Sequence, residues 1–175
     1  MPQLILSNKV LLPLYIYPHP RAWDPLYSAY RDPHFCIHIL TNNPSIATYS
    51  NLHFIVIINP HNGPGTAPWW PNEDYIREIP RLNALPNVTT LGYVRATYCK
   101  RDLKEVLEDI ETYAERGRAD DGLKVDGIFV DESVNLYSEE AKSYLDAIDR
   151  KVGNRIGTTG NRLVCCQYML EIVRC

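Results

Sequence analysis

The chain has 175 residues, of which 45% are hydrophobic and 22% are charged, and its formal net charge is −3. These proportions are typical of one soluble globular domain, and they exclude a disordered or fibrous chain. No basic block favours nucleic acid as a partner, and no apolar run approaches the ~20 residues that a membrane-spanning helix needs.

The first residues lack the charged start and the apolar core of a secretion signal, so the residues themselves predict a soluble chain, with a cytoplasmic location left open. The five cysteines are odd in number and scattered, and neither a CxxC pair nor a zinc-type Cys/His spacing is present. We therefore expect buried or free thiols and no zinc site.

Four apolar runs of strand length predict a buried parallel sheet. They are nearly continuous in β-branched, aliphatic and aromatic residues, which is the pattern of strands covered on both faces. Amphipathic helical patterns occupy the gaps, and the clearest has a single apolar stripe with an acid at its N-cap position. The predicted strands cover residues 10–17, 52–58, 88–94 and 127–130, and the predicted helices cover 23–31, 73–82 (interrupted by Pro80), 103–114 and 138–152.

The centres of these strands are roughly 35–42 residues apart, close to the ~31 residues of one unit in a (β/α)₈ barrel. The sequence therefore predicts an α/β fold of the TIM-barrel type with four βα units, within residues 1–152. A doubly wound sheet is the second architecture, although its nucleotide fingerprints are absent. Residues 33–51 are interpreted as an atypical insertion, and residues 153–175 as an atypical C-terminal tail.

Polar and aromatic residues follow each predicted strand, at the edge where α/β proteins bind ligands. Asp131 and Glu132 come directly after the fourth strand and are the candidate catalytic acids. Tyrosine and tryptophan rings suit the flat faces of sugars. The candidate substrate-binding residues are Tyr15, Tyr17, Asn59, His61, Trp70 and Tyr98.

A purely structural interpretation of the same residues stays open. One of the two acids would then cap the following helix or pair with Arg95 or Arg101, and the tryptophan and histidine would pack in a stiff loop.

Four motifs, in this order, resemble the spherulin-4 family (spherulation-specific family 4), which is related to glycoside hydrolase family 135. They are LPLYIYP at 12–18, IINP at 57–60 with GPG at 63–65, LGYV at 91–94 with Thr97, Tyr98 and Arg101, and VDGIFVDE at 125–132. The resemblance implies a (β/α)₈ barrel, of which this chain has the first four units. It also implies an endo-acting hydrolase of an α-1,4-linked galactosamine-containing polysaccharide such as fungal galactosaminogalactan.

In this family the paired acids correspond to Asp131 and Glu132, and the pocket residues correspond to Tyr15, Tyr17 and Asn59. No metal or cofactor is implied, because two carboxyl groups suffice for glycoside hydrolysis. The family's location implies a secreted or cell-surface protein.

The family's second half-barrel, which carries another acid, has no visible counterpart after residue 152. Two functional interpretations follow. The first is a glycoside hydrolase-like chain, which truncation inactivates if Asp131 and Glu132 serve one role between them, and the second is a non-catalytic glycan-binding protein of the cell or spore surface. Unpaired edges on the first and fourth strands also predict self-association.

Overall fold

The computed structural model of the protein describes residues 9–27, 52–65, 71–156 and 163–166. The proposed insertion at 33–51 and the candidate Trp70 lie outside the described residues. Strands and helices alternate along the chain. They are β1 (Lys9–Leu14), α1 (Asp24–Tyr27), β2 (His53–Ile58), α2 (Glu73–Asn83), β3 (Val88–Arg95), α3 (Leu103–Ala119), a 3₁₀ turn (Asp121–Leu123), β4 (Gly127–Asp131), α4 (Glu139–Arg155) and β5 (Leu163–Cys166).

The five described strands form one sheet in their chain order, and each pairs in parallel with the next. A doubly wound sheet reverses its strand order at a switch point, and no such reversal occurs among the described strands. The consecutive order is instead that of a sector of a (β/α) barrel. The α/β prediction and its four βα units are confirmed.

The predicted edge at β4 is wrong, because β5 pairs with β4 from Gly127↔Leu163 to Val130↔Cys166. The edges of the described sheet are therefore β1 and β5. Both α4 and the sheet extend beyond residue 152, so part of the segment interpreted as a tail belongs to the barrel sector. The domain boundary and the self-association stay predictions.

Alternation along each strand sorts the side chains into two layers. Leu12, Leu14, Phe54, Val56 and Ile58 face α1 and α2, while Val94, Ile128 and Val130 face α3 and α4. The other face of the sheet carries a separate buried cluster of Ile55, Ile57, Leu91, Tyr93 and Phe129. This second cluster leads to the carboxyl edge of β3 and β4.

Local sequence signals explain the helix boundaries. Asp102 accepts a hydrogen bond from the Lys104 amide at 2.8 Å and caps α3, as its position predicts. Pro80 does not interrupt α2, which continues to Asn83. A proline costs a helix one backbone hydrogen bond, and here the buried face of Tyr75, Ile79 and Leu82 keeps the helix in place.

An ionic network fastens α3 to α4. The Glu111 carboxylate accepts hydrogen bonds from Lys151 Nζ at 2.6 Å and Arg155 Nε at 2.7 Å, and from Arg118 Nη2 at 2.9 Å. The hydrogen bonds from Arg155 are the largest reason why the pKa of Glu111 lies below its ordinary value. A depressed folded-state pKa stabilises the fold above the unfolded-state value of about 4.3, and this contribution is lost as the pH falls below it.

We expect Glu111→Gln to lower the free energy of unfolding by about 1 kcal/mol at pH 7, a value that allows for solvent screening of this network. The difference in unfolding free energy between the variant and the unsubstituted chain is expected to narrow as the pH falls from about 5 to about 2. Urea unfolding of both proteins at several pH values measures this difference. Glu108→Gln is the matched control, since Glu108 lies 3.7 Å from Lys104 in an exposed pair; an equal loss in both variants contradicts the prediction.

Candidate functional site

Asp131 ends β4 on the face of the sheet that points away from the helices. Ile128 and Val130 pack against α3 and α4, so Phe129 and Asp131 take the opposite face. Tyr93 of β3 pairs with Phe129 of β4. Phe129 lies two residues before Asp131, so its side chain is on the same face of the sheet. The sheet therefore brings Tyr93 and Asp131 together across neighbouring strands.

The Asp131 carboxylate accepts a hydrogen bond at each oxygen. The Tyr93 hydroxyl donates to Oδ2 at 2.5 Å, and the Glu132 backbone amide donates to Oδ1 at 2.8 Å. Hydrogen bonds to an ionised carboxylate are shorter and stronger than those between neutral groups. A side-chain donor from β3 and a backbone donor directly after β4 thus orient this carboxylate.

Tyr15 covers the other side of Tyr93, with its ring edge-on at a centroid separation of 6.0 Å. It is 53% exposed, whereas Tyr93 is 4% exposed. Burial, followed by the charge of Asp131, raises the pKa of Tyr15. Burial and the hydrogen bond to Asp131 raise the pKa of Tyr93, with smaller contributions from the charges of Asp131 and Glu132. Both acids and both tyrosines therefore share one electrostatic environment.

Glu132 has left-handed backbone geometry, with φ at +52°. It follows the last residue of β4, so the strand's alternation no longer fixes the direction of its side chain. Its carbonyl accepts a hydrogen bond from the Tyr98 amide at 2.5 Å, and the Asp131 carbonyl accepts one from Ala96 at 2.9 Å. These bonds join the loops that follow β3 and β4.

The loop after β3 is itself strained. Thr97, Tyr98 and Cys99 have φ values of +49°, +56° and +60°, and Tyr98 is 51% exposed. Left-handed geometry costs a non-glycine residue roughly 1–2 kcal/mol, and such strain is concentrated at functional sites. The left-handed turn places the backbone of Tyr98 directly beside that of Glu132.

Two of the structural alternatives do not hold. Ser138 caps α4, because its hydroxyl accepts a hydrogen bond from the Ala141 amide at 3.1 Å. Arg101 pairs with Asp109 at 2.6 Å and with Glu105 at 3.3 Å. The cap of α4 is thus a serine hydroxyl. The acids that pair with Arg101 are Asp109 and Glu105, not Asp131 or Glu132.

Two further candidates, Tyr17 and Asn59, contact Tyr75. Tyr17 accepts a hydrogen bond from Asn72 Nδ2 at 2.7 Å, and its ring lies edge-on to Tyr75 at 5.7 Å. Asn59 Oδ1 accepts from the Gly63 amide at 3.2 Å and closes its own loop, while the Asn59 carbonyl accepts from Tyr75. His61 is exposed on that loop. These contacts give the Asn59 oxygen a structural role that the sequence analysis did not foresee.

Tyr93 is the residue that the sequence analysis missed as a member of the site. It lies inside the LGYV motif, where an apolar run conceals a polar hydroxyl. Its position in the strand could have indicated this role. Tyr93 lies two residues before the end of β3, just as Phe129 lies two residues before the end of β4.

Within the described ranges, no three His, Cys, Asp or Glu side chains are grouped so as to hold a metal ion. Among the helices in those ranges, none has the length and apolar character to cross a bilayer. Cys99, in the loop after β3, is a free thiol.

The model of the family described as Spherulation-specific family 4 matches residues 9–167. The chain belongs to this family. The resemblance inferred from the four motifs is thus confirmed, and the matched range includes both the 33–51 segment and β5.

Two relatives of this spherulation-specific family 4 chain show how much of a relative's length it covers. Spherulin-4 of Physarum polycephalum is 34% identical over 131 residues, which are 75% of this chain and 31% of that protein. The crystal structure of Aspergillus clavatus Sph3 in complex with GalNAc is 36% identical, with a TM-score of 0.75 over 90% of this chain and 57% of the Sph3 chain. The chain therefore spans about a third to little more than half of these relatives.

Proposed function

We propose that this family member is a glycoside hydrolase-like domain that binds and cleaves an α-1,4-linked galactosamine-containing polysaccharide at the carboxyl edge of its sheet. Asp131 and Glu132 are its catalytic acids, and Tyr15 and Tyr98 bind the sugar rings. The observation that carries the proposal is the doubly hydrogen-bonded Asp131 carboxylate next to the exposed ring of Tyr15.

The chemistry of these groups suits glycoside cleavage. Such hydrolysis needs one carboxyl group to protonate the leaving oxygen and another carboxylate to face the positive charge that develops on the sugar. Asp131 and Glu132 supply both groups from one strand end. Tyrosine rings offer an apolar face for the C–H bonds of a pyranose together with a hydroxyl for its oxygens.

The Sph3 crystal structure supports an amino sugar as the ligand, because that relative is described in complex with GalNAc. Tyr17 and His61 extend the proposed binding surface along the polymer. Asn59, whose Oδ1 closes its own loop, and Trp70, which lies outside the described residues, stay proposed sugar contacts. The exposure of three tyrosine rings supports their stacking on sugars: Tyr15 is 53% exposed, Tyr17 37% and Tyr98 51%.

The same exposed rings favour a second candidate function, that of a non-catalytic glycan-binding protein. Incubation of the chain with galactosaminogalactan, followed by measurement of new reducing ends, separates the two functions. An α-1,4-glucan is the control polymer, because it has the same type of linkage and lacks the amino group.

We expect new reducing ends from galactosaminogalactan and none from the glucan. Binding to galactosaminogalactan without cleavage would favour the non-catalytic function. Absence of both binding and cleavage would contradict each of the two.

A further inference from the structure

We propose that Tyr93 is a positioning residue, which holds Asp131 as a hydrogen-bond acceptor and thereby leaves proton donation to Glu132. The inference rests on the proposed function, because it assigns separate roles to the two acids of that site. It is carried by the hydrogen bonds of Asp131 and by the packing of Tyr93.

The donors around Asp131 occupy both oxygens of its carboxylate. The Glu132 amide, 2.8 Å from Oδ1, can only donate, so that oxygen has to accept. The Tyr93 hydroxyl lies 2.5 Å from Oδ2 and donates to it. Both oxygens of Asp131 thus act as hydrogen-bond acceptors, and the two donors fix the orientation of the carboxylate.

Tyr93 cannot easily turn away from Asp131. It is 4% exposed, and its ring packs against the rings of Tyr15 and Phe129, at centroid separations of 6.0 Å and 6.2 Å. Burial and the hydrogen bond with Asp131 raise the pKa of Tyr93, so the hydroxyl keeps the proton that it donates. Because the buried Tyr93 hydroxyl donates its hydrogen bond to Asp131, it acts through that residue and does not need to contact the sugar.

This division of roles gives a balanced reaction. Glu132 passes its proton to the glycosidic oxygen as the bond between that oxygen and the anomeric carbon breaks. The Asp131 carboxylate faces the positive charge that develops on the sugar. One water molecule then adds its oxygen to the anomeric carbon, and its released proton returns to Glu132.

The first test is Tyr93→Phe, assayed by kcat and KM on galactosaminogalactan. We expect kcat to fall about 10-fold to 100-fold, the effect of one charge-assisted hydrogen bond, because the Asp131 carboxylate loses a donor that orients it. KM is expected to stay within about two-fold, because Tyr93 does not contact the sugar. An unchanged kcat would overturn the positioning role.

Tyr113→Phe is the matched control. Tyr113 is another buried tyrosine next to β3, and its hydroxyl donates to the Tyr93 carbonyl at 3.1 Å, with no contact to either acid. We expect this variant to lose stability and to keep the kcat of the unsubstituted chain. An equal fall of kcat in both variants would mean that Tyr93 acts only through the fold, and would overturn the proposal.

The second test does not depend on turnover. In protein labelled at the tyrosine Cζ, the Tyr93 signal is identified by its absence from Tyr93→Phe. We expect Tyr93 to ionise at lower pH in Asp131→Asn than in the unsubstituted chain, because the negative charge next to the phenol is removed. Identical titrations in the two proteins would overturn the proposed hydrogen bond between Tyr93 and Asp131.

Lack of turnover by the unsubstituted chain would instead contradict the proposed function. The titration would then still test the hydrogen bond between Tyr93 and Asp131.

Discussion

Replacing Glu132 by glutamine is expected to lower the turnover of galactosaminogalactan by about 10²-fold to 10⁴-fold, the usual contribution of a general acid. The amide keeps the size of the side chain but has no proton to give to the leaving oxygen. The position lies outside the regular part of β4, where φ is +52°, so the substitution leaves the sheet unchanged. Measurement of kcat with a thermal unfolding curve tests both statements.

The leaving group separates the two acids further. An aryl oligosaccharide with an acidic phenol needs little protonation as it leaves, so Glu132→Gln is expected to lose much less activity on it than on the polysaccharide. Asp131→Asn is expected to lose activity on both substrates, because the charge on the sugar develops in both reactions. The reverse pattern would exchange the roles of the two acids.

Glu140→Gln is the matched control for these variants. It makes the same chemical change in the first turn of α4, where Glu140 is exposed to solvent. Its activity is expected to equal that of the unsubstituted chain. A comparable loss there would point to a general effect of removing an acid from this part of the surface.

The largest expected loss of stability comes from Gly92→Ala. Gly92 lies within β3 opposite Ile128, and a Cβ atom at this position would lie 2.8–2.9 Å from three atoms of the Tyr113 ring. The ring is 3% exposed, and its hydroxyl is bonded to the carbonyls of Tyr93 and Ile58. We expect a loss of about 2–3 kcal/mol in unfolding free energy, as for other overpacked cores.

A double-mutant cycle tests the cause of this loss. Tyr113→Leu removes the ring and leaves room for the new methyl group, so the two substitutions together are expected to cost about 1–2 kcal/mol less than the sum of the single effects. Denaturant unfolding of the four proteins provides the comparison. Strict additivity would show that the methyl group does not meet the ring.

Much of the fold was predictable because its signals are local. Each of the first four strands is a nearly continuous apolar run, the pattern that burial on both faces requires. Most residues of β2, β3 and β4 are buried in this way, whereas Leu11 and Pro13 leave one face of β1 exposed. The fifth strand was missed, since residues 163–166 form a four-residue run within a Gly- and Thr-rich segment. Such a short run becomes a strand through its pairing with β4, which the sequence does not display.

The candidate site divides in the same way. The sequence alone identified Asp131 and Glu132, because two acids directly after a buried strand are conspicuous. Tertiary structure alone decided that Tyr93, 38 residues earlier, donates to Asp131, and that the Asn59 oxygen closes its own loop. Residue types and strand ends are properties of short segments, whereas a hydrogen bond between two strands depends on their register. That register is set by the packing of the whole sheet.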